Sequence, residues 1–167
     1  MRFNKKFYSL ILLAAFFAAC ATPSRAPENE KIVAIWNPDD LSFQPSVWPD
    51  LGELLGSQVA AYIGNSGGYT VVERQKLDAV LEELNLATSA LADPATRLKI
   101  GRLAGARMMI FGGYQVVGTS MRIDLRLVDV ATAGIVATAT ETVESADLNA
   151  WLQAASLAAA TLFDEKQ

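Results

Sequence analysis

The stretch MRIDLRLVDV at residues 121–130 holds the clearest strand pattern in this sequence. Its apolar and charged residues alternate: Met121, Ile123, Leu125 and Leu127 against Arg122, Asp124 and Arg126. Because successive side chains of a strand point to opposite faces, one face of this strand lies in a core and the other in water. The stretch therefore predicts an antiparallel strand packed on one side, and its neighbours in sequence can be placed around it.

Two more strands flank this one. Residues 108–117 form a long apolar run, and Gly118-Thr119-Ser120 reverses the chain into the alternating strand. A second turn at 131–134 leads into a Thr/Ala-rich strand over 135–143. The three strands form a meander. Gly112-Gly113 inside the first strand predicts a bulge or a tight helix contact, with the close approach of a ligand backbone as the alternative.

The sequence before the meander predicts two βα units. An apolar run at 32–36 ends in the turn signal Asn37-Pro38, and the proline-containing stretch 39–49 is expected to be a surface loop. A helix from about 51 to 63 follows, and then a strand at 69–72.

Three further helices complete the pattern. Apolar residues between 77 and 84 recur at helical spacing, and Asp93-Pro94 opens a helix running to about 104, with Ile100, Leu103 and Ala104 inward. Asp147 caps a last helix. The predicted order is β-α-β-α-α-β-β-β-α, an α/β domain with a mixed sheet flanked by helices.

The N-terminus carries the features of a signal peptide. Arg2, Lys5 and Lys6 precede an uncharged apolar run over 7–17, and small residues follow before Cys20. The run is shorter than the roughly 20 residues that a membrane-spanning helix needs. Residues 1–19 are therefore predicted to be a cleaved signal peptide.

The ending Phe17-Ala18-Ala19-Cys20 resembles the lipobox of bacterial lipoproteins. The resemblance implies that Cys20 carries fatty acyl chains such as palmitate and becomes the new N-terminus. Residues 20–30 are then the lipidated cysteine and a flexible, proline-containing tether, and residues 31–167 are the α/β domain. Ala21, which is not the aspartate of inner-membrane retention, favours the periplasmic face of the outer membrane.

The residue inventory bears on chemistry. The chain has no histidine, and Cys20 is its only cysteine, so lipidation would remove its only thiol. After removal of residues 1–19, 11 basic residues face 18 acidic ones, a net charge of −7. We therefore expect no cofactor, no metal site and no nucleic-acid partner. An enzyme using carboxylates such as Asp39 and Asp40, or a serine, stays the least favoured interpretation.

The run VVERQKLDAVLEE at 71–83 resembles a segment of the CsgG family, the curli-secretion lipoproteins. Further matching motifs follow in order: Asp93-Pro94, Ile100-Gly101, Leu103-Ala104-Gly105-Ala106, Gly112, Leu127-Val128-Asp129-Val130, Thr132 and Ile135-Val136. The resemblance implies the CsgG/LpoB-like periplasmic domain. The family's pore-forming member inserts membrane-spanning hairpins into this domain, and the short turns at 118–120 and 131–134 leave no room for them.

Several residues are candidates for binding a partner. Trp36, Phe43 and Trp48 lie in or beside the loop after the first strand, where exposed aromatic residues suit protein or glycan recognition. Folding back over the core is the alternative for these three. Arg122 and Arg126 share a strand face that suits an acidic partner or a glycan phosphate, or is simply solvated.

Two functions follow as hypotheses. The first is a membrane-anchored periplasmic lipoprotein that binds an envelope protein as an accessory or assembly module. The alternative is a subunit of a CsgG-type outer-membrane secretion assembly for curli or another protein, in which the chain forms a homo-oligomer. Neither the partner nor the pathway can be read from the residues.

The lipid anchor gives the first testable prediction. Cys20→Ser should leave the domain folded but release it from the membrane, because the thiol is an attachment point and not part of the core. Membrane fractionation and circular dichroism of the variant measure both properties. Loss of folded structure would contradict the prediction and make Cys20 structural.

Overall fold

The computed structural model describes residues 31–44, 48–85 and 88–164. The predicted signal peptide, Cys20 and the tether lie outside the described residues. The elements, in chain order, are β1 (Ile32–Ile35), β2 (Asp39–Asp40), α1 (Leu51–Ser66), β3 (Thr70–Val71), α2 (Arg74–Leu84), a 3₁₀ helix (Thr88–Ala92), α3 (Pro94–Leu103), β4 (Met108–Val117), β5 (Ser120–Asp129), β6 (Ile135–Glu144) and α4 (Leu148–Asp164).

The predicted α/β class and element order are confirmed, with two additions. The 3₁₀ helix between α2 and α3 was not predicted. The predicted loop over 39–49 is wrong at its start, because Asp39 and Asp40 pair in parallel with Gly113 and Tyr114 of β4.

The sheet has the order β3-β1-β4-β5-β6, with β2 beside β4. Strand β1 pairs in parallel with β3 on one side and β4 on the other, and β2 pairs in parallel with β4. Strands β4, β5 and β6 form the predicted antiparallel meander. Parallel neighbours need a crossover connection, which helices provide here, whereas antiparallel neighbours can be joined by a short turn. A two-residue turn joins β4 to β5. Strand β4 is thus the boundary between the parallel and antiparallel halves.

Helices cover the two faces of the sheet unequally. Helices α1 and α4 pack on one face and bury the apolar side of the meander, including Ile123, Leu125 and Leu127. Helices α2 and α3 pack on the other face over Met109, Phe111 and Val128. The rest of that face, from Arg122 to Arg126 on β5 and the threonines of β6, is left to solvent.

Close backbone approaches explain four glycines. A Cβ on Gly52 would stand 2.6 Å from the Pro38 carbonyl oxygen, and one on Gly56 2.5 Å from Asn37 Oδ1. A side chain at Gly112 would collide with the Asp124 carbonyl, and one at Gly113 with Leu41. The expected bulge or helix contact at Gly112-Gly113 is therefore wrong: both residues pair regularly with β5, and a neighbouring strand and a loop lie against them.

The predicted cap of α3 is confirmed, whereas one residue predicted to face inward is exposed. Asp93 accepts hydrogen bonds from the Ala95 and Thr96 N–H groups, as predicted for a cap. The Thr96 hydroxyl is the largest cause of a lowered pKa at Asp93. Leu103, predicted inward, is 54% exposed because the buried face of α3 is centred on Ile100, Gly101 and Ala104, and Leu103 is turned about 110° away from it.

Across residues 31–44, 48–85 and 88–164, no helix has both the length and the apolar character to cross a bilayer.

The glycines of α1 give a matched pair of variants. Gly52→Ala should destabilise the fold by about 1–3 kcal/mol, because the new methyl group meets backbone that must move. Gly64→Ala in the same helix would place its methyl group 3.9 Å from the side chain of Val71, an ordinary contact, and should stabilise the fold by about 0.5–1 kcal/mol through helix propensity. Urea unfolding of the Cys20→Ser chain measures both; a neutral Gly52→Ala would refute the contact.

Candidate functional site

The segment after β1 is fastened along β4. The Trp36 N–H donates to the Ile110 carbonyl (2.9 Å), and the Leu41 N–H donates to that of Tyr114 (2.8 Å). Further on, the Val116 N–H donates to Ser42 Oγ at 2.9 Å. The segment from 36 to 42 therefore has a defined backbone path along the edge of β4.

Trp36 belongs to the anchor of this segment. The Arg97 guanidinium donates to both oxygens of Asp39, at 2.7 and 3.1 Å, and lies 5.2 Å from the centre of the Trp36 ring. Arg97 also donates to the Leu91 carbonyl, and its side chain is only 13% exposed. Trp36 is half-buried against the core under α2 and α3, so the structure separates it from the exposed aromatic residues.

The second anchor is Tyr114 with Asp40. Tyr114 is buried, and its hydroxyl donates to the Asp40 carboxylate, which also accepts the Ser42 N–H at 2.8 Å. Burial, and then the charge and hydrogen bond of Asp40, raise the pKa of Tyr114 to about 12. Asp39 and Asp40 are thus each engaged in holding the loop, and they do not face one another as an acid–base pair.

Four exposed apolar side chains lie at this end of the sheet, and we call them the apolar tip: Leu41, Phe43, Trp48 and Val117. Phe43 is 97% exposed, Val117 64%, Leu41 61% and Trp48 41%. The Trp48 carbonyl accepts the Leu51 N–H, so Trp48 leads directly into α1. Clustered exposure of this kind marks interaction sites, whereas single exposed apolar residues do not.

The surroundings of the tip are acidic. Asp39, Asp40, Asp50 and Glu53 all lie between β1 and the first turn of α1, and residues 32–57 contain no lysine or arginine. Asp39 is paired with Arg97 at 2.7 Å. An anionic lipid surface would be repelled here, and a basic protein surface attracted.

The tip lies at the far end of β4 from Ile32, the first residue of β1. The Arg107 N–H donates to the Ile32 carbonyl, so the chain enters the sheet beside the first residues of β4. The tip lies beside the last residues of β4, where Val117 ends the strand. Ten residues at about 3.3 Å each separate the two ends by roughly 30 Å.

The candidate arginines lie apart from the tip, on the uncovered face of β5. The Arg122 Nε and Nη2 donate to Asp124, at distances of 2.7–3.1 Å, and Asp124 also accepts the Thr140 hydroxyl at 2.7 Å. Arg122 is the largest cause of the lowered pKa of Asp124. Arg126 is exposed and makes no ion pair with any residue in the described ranges.

The carboxyl ends of the parallel strands are where α/β folds bind small-molecule ligands. A cavity there, lined by Asn37, Glu53, Ser57 and Arg74 among others, has a volume of about 80 Å³. That is well below the roughly 300 Å³ of a typical ligand pocket. Within the described residues, no cluster of three His, Cys, Asp or Glu side chains could hold a metal ion.

Sequence reasoning missed two members of the tip. Leu41 and Val117 are ordinary aliphatic residues that a pattern assigns to a core as readily as to a surface. The available signals were the Asp39-Asp40 pair before Leu41 and the turn Gly118-Thr119 after Val117, since polar and turn residues mark the end of a buried run.

Comparison with known proteins places this domain in a structural group. The family model described as "Curli production assembly/transport component CsgG" matches residues 42–120. The predicted resemblance to the CsgG family is therefore confirmed. No curated protein matches the sequence of this chain significantly.

Solved structures with the same fold include three bacterial proteins. The LpoB C-terminal domain from Salmonella enterica is 17% identical with a TM-score of 0.60, covering 82% of this chain and 92% of that chain. Lipoprotein GNA1162 from Neisseria meningitidis is 16% identical with a TM-score of 0.56, covering 68% and 79%. A PelC dodecamer from Paraburkholderia phytofirmans is 19% identical with a TM-score of 0.53, covering 80% and 85%. At these identities the likeness shows the CsgG/LpoB-like fold.

The Tyr114–Asp40 anchor predicts a pH dependence. The pKa of tyrosine is about 10 in the unfolded chain and is raised to about 12 at Tyr114. The stability contributed by the protonated Tyr114 hydroxyl is therefore fully present below pH 10 and is lost as the pH rises toward 12. Tyr114→Phe should lose less stability than wild type between pH 10 and 12, and should lack one late phenol titration in the ultraviolet. Equal losses in both proteins would contradict the raised pKa.

Proposed function

We propose that this chain is a lipid-anchored envelope protein whose domain binds a protein partner through the apolar tip and performs no chemistry itself. The observation that carries the proposal is Phe43, which is 97% exposed and directly follows the segment 36–42 that hydrogen bonds fasten to β4. Burying a phenylalanine side chain contributes about 1.5–3 kcal/mol. The fastened backbone reduces the ordering cost that a free loop would incur on binding.

The partner's surface follows from the charges around the tip. Its complement is an apolar groove for Phe43 and Leu41, bordered by lysine or arginine residues opposite Asp50 and Glu53. Such a surface belongs to a protein, because an anionic membrane would be repelled by the same carboxylates. Complementary charge also speeds the encounter of the two proteins.

The geometry suits an envelope lipoprotein. If Cys20 carries the lipid, the ten residues from 21 to 30 give a tether of roughly 30 Å at full extension. The domain adds roughly 30 Å between the tether and the tip. The tip would then reach a partner about 60 Å from the membrane, on the periplasmic side of the outer membrane.

One observation favours the alternative, a subunit of a CsgG-type secretion assembly for curli or another protein. A PelC protein of the same fold was solved as a dodecamer. If this chain assembled with copies of itself through the apolar tip, each tip would contact a neighbouring copy. The basic border expected of the partner argues against this arrangement, because the tip itself lies in an acidic surface.

Photocrosslinking in cells tests the proposal. A benzophenone amino acid in place of Phe43 should give one discrete adduct with another envelope protein, whereas the same group in place of Leu103, also exposed but at the opposite end, should not. Adding Asp50→Lys and Glu53→Lys should reduce the adduct at position 43 several-fold. The adducts are identified by mass spectrometry.

The other outcomes decide between the hypotheses. An adduct at position 43 with a second copy of this chain would support the assembly alternative. Adducts with lipid alone, or equal adducts from positions 43 and 103, would refute a binding role for the tip.

A further inference from the structure

We propose a second binding site: the outer edge of β6 takes up an extended, basic segment of another protein as an additional strand of the sheet. The site is separate from the apolar tip and stands whether or not the tip binds a partner. We call residues 137–144 the β6 edge. Strand addition supplies affinity through main-chain hydrogen bonds and specificity through alternate side chains.

The hydrogen bonding of β6 leaves one side open. Residues 137–144 pair regularly with 127–120 of β5, and within the described part of the chain no strand lies on the other side of β6. A shift in register between Leu127 and Val128 ends the regular pairing near the start of the strand. Because alternate residues of an antiparallel strand direct their N–H and C=O groups to opposite sides, four of the eight residues present unpaired backbone groups along roughly 26 Å.

Apart from the charges of Glu141 and Glu144, the edge lacks the features that usually prevent strand addition. Exposed edges are commonly protected by lysine, proline or a short length. Residues 135–144 contain no lysine, arginine, proline or glycine, and they are rich in Thr and Val. β-Branched residues of this kind favour cross-strand packing.

An exposed apolar side chain lies on the helix that packs against β6. Helix α4 shares its core with Ala137 and Ala139 of β6. Leu157 of α4 is 57% exposed and is turned about 100° around the helix from Ser156, which accepts a hydrogen bond from Gln58 of α1 at 2.9 Å. The helix that covers β6 therefore carries further exposed apolar surface.

Size and charge identify the occupant. The edge is about 26 Å long and a sheet about 10 Å thick, so pairing along it covers roughly 260 Å² per partner, far below the roughly 800 Å² per partner of a stable dimer. An extended segment fits this area, and a second copy of the domain needs more. The charged side chains of the edge are Glu141 and Glu144, so the segment is basic.

The test uses random decapeptides displayed on phage and selected against the full-length lipidated chain in detergent micelles. We expect selected peptides in which basic residues alternate with β-branched ones. A synthetic copy of a selected peptide should slow hydrogen exchange of the β6 amides. Side-chain binding at the surface would not protect those amides.

Charge reversal supplies the matched control. Glu141→Lys with Glu144→Lys should weaken the basic peptide by about tenfold or more and should select acidic peptides instead. Glu82→Lys with Glu83→Lys, the same charge change on the exposed side of α2, should leave binding unaltered.

Three results would overturn the proposal. The first is a selection that yields only peptides insensitive to the reversal at Glu141 and Glu144. The second is protection of amides outside β6. The third is concentration-dependent protection of β6 in the absence of peptide, which would assign the edge to a second copy of the chain.

Discussion

The rest of the structure depends on the hydrogen bonding of β4 along both of its sides. One side pairs with β5 over all ten residues, and the other pairs first with β1 and then with Asp39 and Asp40. Two glycines in the middle, Gly112 and Gly113, let β5 and the loop after β2 approach more closely than a side chain would allow. This central strand joins the parallel and antiparallel halves and fixes the path of the loop that carries the apolar tip.

Polar contacts beside the apolar tip keep its side chains exposed. Arg97 fixes Asp39 and covers Trp36, and Tyr114 fixes Asp40, so the backbone at Leu41 has little freedom to fold its side chain inward. Binding to exposed apolar side chains on a fixed backbone loses less conformational entropy than binding to the same side chains on a mobile loop. The same carboxylates make the surroundings acidic, which favours a protein partner over a lipid surface.

Periodicity in the sequence predicted the parts of the fold that have long repeats. The alternation from Met121 to Leu127 defined β5, and its neighbours and the helices followed from similar patterns. Strand β2 was missed because two aspartates have no apolar alternation, and only pairing with β4 makes them a strand. Leu103 was placed inward because its spacing from Ile100 fits a helical period, but the buried face of α3 is turned toward Gly101 and Ala104 instead.

The candidate site was predicted only in part, for a physical reason. Phe43 and Trp48 were identified by residue type, and both are exposed. Trp36 is also aromatic, but the Arg97 guanidinium covers its ring. Arg97 lies 58 residues beyond Asp39, the carboxylate with which it pairs, and no local sequence pattern indicates so distant a contact. Exposure depends on what packs against a residue, so Leu41 and Val117 became visible only in the structure.

The most direct measurement of the central claim is the native mass of the full-length lipidated protein in mild detergent, corrected for bound detergent. A lipoprotein that displays its tip and its β6 edge to other proteins should have the mass of a single chain. A closed ring of many copies would contradict the account, because those surfaces would then be occupied by the chain itself.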